Sequence, residues 1–495
     1  MLEQYFSKFR NKIIGIDSSF ESPHGTKKIV YADWTASGRL YNDIENTLRN
    51  DIMPFVANTH TETTVTGTAM TQAYHLAKDI VKNHVNANKN DVLIFAGTGM
   101  TGAINKLQRI LGIKYPEKPD QYLKDHCDVS LDPYKLPVVF ITHMEHHSNQ
   151  TSWLETAAIV EIIGQTSEGL VDVDDLKRLV EKHKHRTLKI ASITACSNVT
   201  GIKTPYHHIA KIMHQNNGYC FVDFACSGPY VEIDMHPNDK LRALDVVFLS
   251  PHKFLGGPAT SGAMIFNKSL YKREVPDSPG GGTVTFTDPW GNHGYISDIE
   301  SREDGGTPGF LQGIKTALAI RLKEEMGVKN ILKREEELIA IVFEHFDKMG
   351  NKVHVLANQQ RDRLGVFSFY VEDIHYNLLV KILNDRFGVQ TRGGCACAGT
   401  YGHILLDVNQ EFSSKIVCEI LDGNNTEKPG WVRMSIHPTM TNQEVNYIMT
   451  SIKSVVGNIN EWKKDYKYNT LTNEFIYIGN YPQININEWF GIFNE

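Results

Sequence analysis

The sequence predicts an α/β chain, with a mostly parallel sheet covered by helices and a smaller α+β unit after it. Two observations carry this. Short apolar or β-branched runs alternate with stretches whose apolar residues recur at helical spacing, as strand–helix–strand crossovers require. That alternation stops at a Gly/Pro-rich stretch, 276–309, beyond which helices and strands are mixed.

In chain order, residues 92–95, Val138–Thr142, Lys189–Thr194, Tyr219–Asp223 and Val246–Leu249 read as buried strands. Ala73, Leu76, Ala77, Ile80 and Val81 recur at helical spacing, as do Leu176, Leu179 and Val180, and then Ile209, Ile212 and Met213. Helical patterns cover 310–325 and 330–349, and the domain boundary falls there. The large domain is expected over 31–325 and the smaller over 326–495, with residues 1–30 packing against the smaller one. In that smaller part, Val366–Val371 and 431–436 read as strands, and 374–386 and 442–456 as helices. Thr441 and Glu444 make a capping-box pattern at the start of the last helix. The tail from Trp462 shows no period.

Composition excludes several classes. With 495 residues, 41% hydrophobic and 22% charged, the chain is neither disordered, collagenous nor a coiled coil. A net charge of −6 offers no basic excess for nucleic acid or an anionic membrane surface. No uncharged apolar run approaches the ~18–20 residues of a membrane helix. Glu3, Lys8, Arg10 and Lys12 interrupt the N-terminal apolar residues, against a secretory signal. Seven cysteines (Cys127, Cys196, Cys220, Cys226, Cys395, Cys397 and Cys418) read as free thiols in a reducing compartment. The cytoplasm is expected; Glu3 and Asp17 have the wrong sign for a mitochondrial presequence.

Four segments at strand ends carry chemistry. Lys253, in Ser250-Pro-His-Lys-Phe254, stands at the mouth of a buried strand; such a lysine is either a solvated loop residue or a Schiff-base former for a carbonyl cofactor. Asp223 ends its strand where open parallel sheets bind ligands, and pyridoxal phosphate needs an acidic partner for its ring nitrogen; a turn aspartate is the alternative. In Phe95-Ala-Gly-Thr-Gly-Met-Thr-Gly102, a strand runs through glycines into a helix, whose N-terminal amides suit a phosphate. His146 and His147 follow a strand without a third metal ligand at useful spacing, so stacking on a flat ring is as economical as metal binding.

Two further segments lie in the smaller part. Arg433 offers a planar bidentate fork for a carboxylate, or a structural salt bridge. Cys395 and Cys397, among small residues, make an accessible thiol loop in which a cation such as Arg392 favours the thiolate. A zinc site would need more ligands than Cys418 supplies.

As a set, these segments make the chain resemble the class V aminotransferase fold of pyridoxal-phosphate enzymes (fold type I). It is most similar to the cysteine desulfurases, including the desulfurase-like domain of molybdenum-cofactor sulfurases. The resemblance runs from about Tyr31 to about Val456. It implies that Lys253 holds pyridoxal 5'-phosphate covalently and that Asp223 pairs with the pyridine nitrogen. His146 would stack on the ring and act as a proton shuttle. Gly99, Met100, Thr101, Ser250 and His252 would hold the phosphate. Asn198 would lie beside the ring and the substrate carboxylate, which Arg433 binds. A partner copy would lend Thr307, making a homodimer. In the desulfurase pattern the catalytic cysteine follows an arginine by five positions, which from Arg392 gives Cys397. Two departures stand out: Cys226 occupies the place of a glutamine that bonds the cofactor's phenolic oxygen, and Gly102 that of a glutamate. His60 matches a substrate-side histidine of one branch.

The implied activity is desulfuration of L-cysteine to L-alanine, with sulfur passed to Cys397 and then to an acceptor protein. Its rivals are transamination, epimerisation or lyase chemistry on another amino acid, which would not need Cys397, and a non-catalytic member of the family.

Overall fold

The computed structural model describes residues 2–114 and 133–491, so Cys127 lies outside the described residues. Among the described residues, seven strands form the main sheet. Their spatial order is Asp91–Phe95, Ala263–Asn267, Val246–Leu249, Tyr219–Asp223, Lys189–Thr194, Val138–Thr142, Ile159–Ile163. The last five are mutually parallel. Ala263–Asn267 runs antiparallel to both of its neighbours, so Asp91–Phe95 points the same way as the parallel five. Every residue of Val138–Thr142, Lys189–Thr194 and Val246–Leu249 is buried, because helices cover both faces of a parallel sheet.

Six strands thus share one direction and end on one side. Such ends are where open α/β sheets bind ligands. The antiparallel insert, AMIFN, is five residues of ordinary apolar sequence with no turn signal of its own, and periodicity does not single it out.

The long helices Val65–His84 and Phe310–Met326 pack on one another. Tyr74, Ala77 and Val81 face inward, but Leu76, grouped with Ala77 by its spacing, is 60% exposed. One residue turns the helix by about 100°, enough to carry Leu76 off the buried stripe.

The second sheet is antiparallel, in the order Val353–Val355, Val366–Val371, Trp431–Ser435, Arg392–Gly394. The helices Val328–Asp347, Tyr376–Phe387 and Asn442–Trp462 pack with it. The capping box forms: Thr441 Oγ1 accepts from Glu444 N at 3.0 Å, and the Glu444 carboxylate accepts from Thr441 N at 3.1 Å.

The N-terminal segment packs beside this sheet and meets it at a bridge between Asp33 and Ser435. Helix Leu2–Arg10 buries Phe6 and Phe9, and Arg10 pairs with Glu444 at 2.6 Å. Val30–Tyr31 pairs in parallel with Val389–Gln390. Ser435 N then donates to Ala32 O at 2.7 Å, and Thr35 N to Ser435 Oγ at 2.9 Å. Asp33 is thereby fixed beside the strands that carry Arg392 and Arg433. The tail, unreadable by period, contains a hairpin of Tyr466–Asn469 and Glu474–Tyr477. It docks on Asp385 of helix Tyr376–Phe387 through the hydroxyls of Tyr466, 3.1 Å, and Tyr481, 2.9 Å. Among the described residues no helix is long and apolar enough to cross a membrane.

Glu335, on helix Val328–Asp347, is 2% exposed; its Oε1 accepts from Gly365 N at 2.7 Å while Oε2 is buried with no partner. Burial raises its pKa to about 8. The unfolded chain releases this proton near pH 4.5, the folded one near 8, so the group's contribution to stability falls as pH rises between them. Glu335→Gln removes that loss. The melting temperature of the variant relative to the parent should therefore climb from pH 5 to pH 8, read by calorimetry; a difference independent of pH would contradict the buried acid.

Candidate active site

The strand ends and the Cys395–Cys397 loop converge on a cavity of about 280 Å³. Gly99, Met100, Thr101, His146, Asn198, Asp223, Cys226, Ser250, His252, Lys253, Arg392, Cys397 and Arg433 all line it, though they span more than three hundred positions of sequence.

Lys253 is placed by a tight turn after strand Val246–Leu249. Its N–H donates to Ser250 O at 3.0 Å, and Gly38 N anchors the turn from outside through His252 O at 2.9 Å. Burial lowers the lysine's pKa, with Arg433 adding to the effect and Cys226 and Asp223 opposing it. A lysine so desolvated is the more readily unprotonated amine a Schiff base needs. Asp223, 4% exposed, accepts from Ala225 N at 2.8 Å. Burial raises its pKa to about 6, against the Ala225 bond and the charge of Lys253. A carboxylate held this way is short of a counter-cation.

The glycine turn ends in helix Met100–Ile110, whose first amide, Met100 N, donates to Ser250 Oγ at 2.9 Å. His252 Nδ1 donates to Thr98 O at 2.9 Å, and the hydroxyls of Thr101 and Ser148 share a bond of 2.6 Å. These three segments wall a cradle around Gly99. A Cβ at Gly99 would lie 2.9 Å from His252 Cε1 and 3.2 Å from Ser250 Oγ.

His146 caps helix His147–Leu154, its Nδ1 accepting from Ser148 N at 3.1 Å. Burial, then the positive charges of Lys253, His147 and Arg433, lower its pKa to about 3, so the imidazole is neutral. The paired histidines diverge: His147 faces the cysteine loop, accepting from Gly399 N at 2.8 Å while His147 N donates to Cys397 O at 2.8 Å. Among the described residues no group of three or more metal-ligating side chains gathers.

Asn198 Nδ2 donates to Ala396 O at 2.7 Å, and its Oδ1 is buried with no partner. Arg433 Nη1 reaches Asn198 O at 3.3 Å, Nη2 pairs with Asp33 Oδ1 at 2.9 Å, and Nε is buried and unpartnered. Arg392 Nε bonds the other oxygen, Asp33 Oδ2, at 3.0 Å. The arginine expected beside the thiol is thus already engaged by a carboxylate.

Ala396 and Cys397 both have left-handed backbones, φ +50° and +56°. That geometry costs roughly 1–2 kcal/mol per non-glycine residue. The bonds to His147 and Asn198 hold it, and the Cys397 thiol stands exposed on the cavity wall while Cys395 is half-buried. Cys226 is buried; its thiol and that of Cys196 both donate to Ser197 O, at 3.8 and 3.6 Å. Burial pushes the Cys196 thiol well up. All cysteines among the described residues are free.

Two expected residues are elsewhere in this chain. His60 is exposed, with φ +69° and its ring against Gly282, outside the cavity lining. Thr307 is also exposed and lines no part of this chain's cavity. Two other residues escaped the sequence reading. One is Asp33. The other is Glu145, 2% exposed, which accepts from Thr142 Oγ1 at 2.7 Å, Thr194 N at 2.9 Å and Asn149 Nδ2 at 2.7 Å and so ties the His146 turn to the next strand. Burial raises its pKa to about 7. The only signal was its place between Met144 and His146.

The model of the family described as "Aminotransferase class-V" matches residues 134–448. Among curated proteins, a "Probable cysteine desulfurase" of Staphylococcus aureus (strain N315) is 27% identical over 376 residues, covering 75% of this chain and 84% of its own. One of Halalkalibacterium halodurans is 26% identical over 374 residues, with 75% and 84% covered. Among solved structures, a cysteine desulfurase from Thermococcus onnurineus NA1 superposes with a TM-score of 0.71 at 20% identity, over 91% of this chain and 98% of that one. The cysteine desulfurase CsdA from Escherichia coli gives 0.69 at 18% identity, with the same coverage. These neighbours share the fold.

The residues fit the family's cofactor: a desolvated lysine, a buried carboxylate short of a cation, an orphaned Asn198 Oδ1 and a cradle that a side chain at Gly99 would fill. Gly99→Val should lower the affinity of the apoprotein for pyridoxal phosphate on the order of tenfold or more, since overpacking costs about 1–3 kcal/mol. Absorbance titration measures it; unchanged affinity would remove the Gly99 turn from the cradle.

Proposed function

This chain belongs to the aminotransferase class-V family, whose members depend on pyridoxal phosphate, and we propose that it is a cysteine desulfurase. The observation that carries the reading is an exposed thiol, Cys397, on a loop lining the same cavity as Lys253 and Arg433. Curated relatives over three quarters of the chain bear that name.

Held by Lys253 as an imine, the cofactor would supply a carbon onto which the substrate amine exchanges and a ring that takes up electrons released at the substrate's α-carbon. Everything else falls to the chain. Asp223 keeps a proton on the ring nitrogen. The amides after Gly99, with Thr101, Ser250 and His252, hold the phosphate. His146, neutral by burial, would stack on the ring; a pKa of about 3 and an Nδ1 already accepting from Ser148 N make it a poor acceptor for the substrate thiol's proton, against the shuttle role the resemblance implies. Arg433 receives the substrate carboxylate, for which its Nε is free. The amine of Lys253, released when substrate enters, moves the α-proton.

Cys397 then attacks the substrate's sulfur as thiolate. A bond forms between the two sulfurs, the bond from sulfur to Cβ breaks, and a proton is added at Cβ. L-Cysteine and a protein thiol become L-alanine and a protein persulfide, balanced without an outside oxidant or reductant. The exposure of Cys397 leaves the persulfide open to an acceptor protein. A homodimer belongs to this reading: Thr307 is exposed and lines no part of this chain's own cavity, as a residue lent to a second copy would be, and Val65, Leu76 and Trp290 are exposed apolar groups.

One observation favours a second reading, transamination or epimerisation of another amino acid. Cys226, a weak donor already turned to Ser197 O, stands where desulfurases carry glutamine. Alanine release from L-cysteine separates the two. The parent should release alanine and Cys397→Ser should not, while both bind the cofactor. No alanine from the cofactor-loaded parent would overturn the desulfurase reading in favour of the second.

A further inference from the structure

Two arginines reach the substrate end of the cavity, and they do so as a directly opposed pair. Arg392 and Arg433 are register partners across the antiparallel strands Arg392–Gly394 and Trp431–Ser435. Like charges directly opposite are unfavourable in a sheet. One carboxylate resolves the conflict. Asp33, 9% exposed, bonds Arg433 Nη2 with Oδ1 and Arg392 Nε with Oδ2. Its backbone is fixed on both sides, by Ala32 N to Gln390 O at 3.0 Å and by the bonds of Ala32 and Thr35 to Ser435.

A site with two free arginines would suit an amino acid with two carboxylates, one for each guanidinium. Here one of the two negative charges is supplied by the chain. The pair and Asp33 together carry a net charge of +1, which one α-carboxylate neutralises. We propose that Asp33 is a specificity-determining residue that favours monocarboxylic amino acids such as cysteine and alanine over aspartate-like dicarboxylates, by supplying one of the two negative charges the arginine pair can neutralise. This rests on the reading of the cavity as an amino-acid site. Asp33 touches no substrate itself; it acts through the two arginines. A dicarboxylate must either displace a partly buried, doubly bonded carboxylate or add a second negative charge to a triad that one carboxylate already neutralises, and both are unfavourable.

The test is the ratio of dissociation constants for L-alanine and L-aspartate, measured by calorimetry on the cofactor-loaded protein. Lys253, Asp223 and His146 act alike on both ligands and cancel in the ratio. The parent should prefer alanine. Asp33→Asn frees both guanidinium groups and should shift the ratio toward aspartate on the order of tenfold or more, as expected when a charged hydrogen-bonded partner is gained. The double variant Asp33→Asn with Arg392→Gln restores the charge of +1 and should return the ratio to that of the parent. A merely structural role for Asp33 would weaken both ligands together and would not be repaired by removing Arg392. Should the single variant fail to fold because the arginines repel, the double variant alone decides, since aspartate binding in it would overturn the proposal. A ratio unmoved in Asp33→Asn, with alanine still bound by the parent, overturns the inference and leaves the proposed function standing. A parent that binds neither ligand overturns both.

Discussion

Arg392 and Arg433 face each other across neighbouring strands, and Asp33, paired with both, offsets their repulsion. That ion triad ties together three remote parts of the chain. The N-terminal segment must thread beside Trp431–Ser435 to deliver the carboxylate, which it does through its pairing with Val389–Gln390. The strand Arg392–Gly394 leads directly into the Cys397 loop. Arg433 in turn touches Asn198, which holds Ala396 of that loop. The thiol, the carboxylate fork and the end of the main sheet are therefore positioned by one connected network. Its loss would be felt first as misplacement at the site.

The electrostatics of the main-sheet side follow from burial. Five of the six strands of one direction end around the cavity, and the groups there are stripped of water. Lys253 is shifted toward the free amine and His146 toward the neutral imidazole, while Asp223 and Glu145 are shifted toward retaining protons. A cationic ring bound beside Asp223 would reverse that shift for Asp223. Glu145 is different: its acceptors are filled by Thr142, Thr194 and Asn149, which makes it a brace for the His146 turn rather than a reagent.

Much of this could be read in the sequence, for a physical reason. Strands buried on both faces appear as uninterrupted apolar runs, so Val138–Thr142, Lys189–Thr194 and Val246–Leu249 stood out, and the residues just after them could be searched for chemistry. Asp33 could not be found that way. An aspartate near the N-terminus carries no local mark of partners 359 and 400 residues away. Ala263–Asn267 is comparable in length to the runs that stood out, but it runs against its neighbours with no crossover helix before it, so strand–helix alternation does not predict it; the tail docks on Asp385 through Tyr466, in its hairpin, and Tyr481, beyond it, which no apolar period marks. His60 and Thr307 matched by motif yet lie outside this chain's cavity. His60 sits on a loop whose geometry no sequence pattern encodes, and the resemblance gives Thr307 to a second copy's site rather than to this one.

The proposed desulfuration requires sulfur to reach Cys397. The most direct measurement is peptide mass analysis of the cofactor-loaded protein after brief exposure to L-cysteine without reductant. The mass of one added sulfur atom on the peptide carrying Cys397, blocked by prior alkylation of that thiol, is the predicted result. An unmodified Cys397 in a protein that has consumed L-cysteine, or the added sulfur on Cys226 or Cys395 alone, would contradict the account.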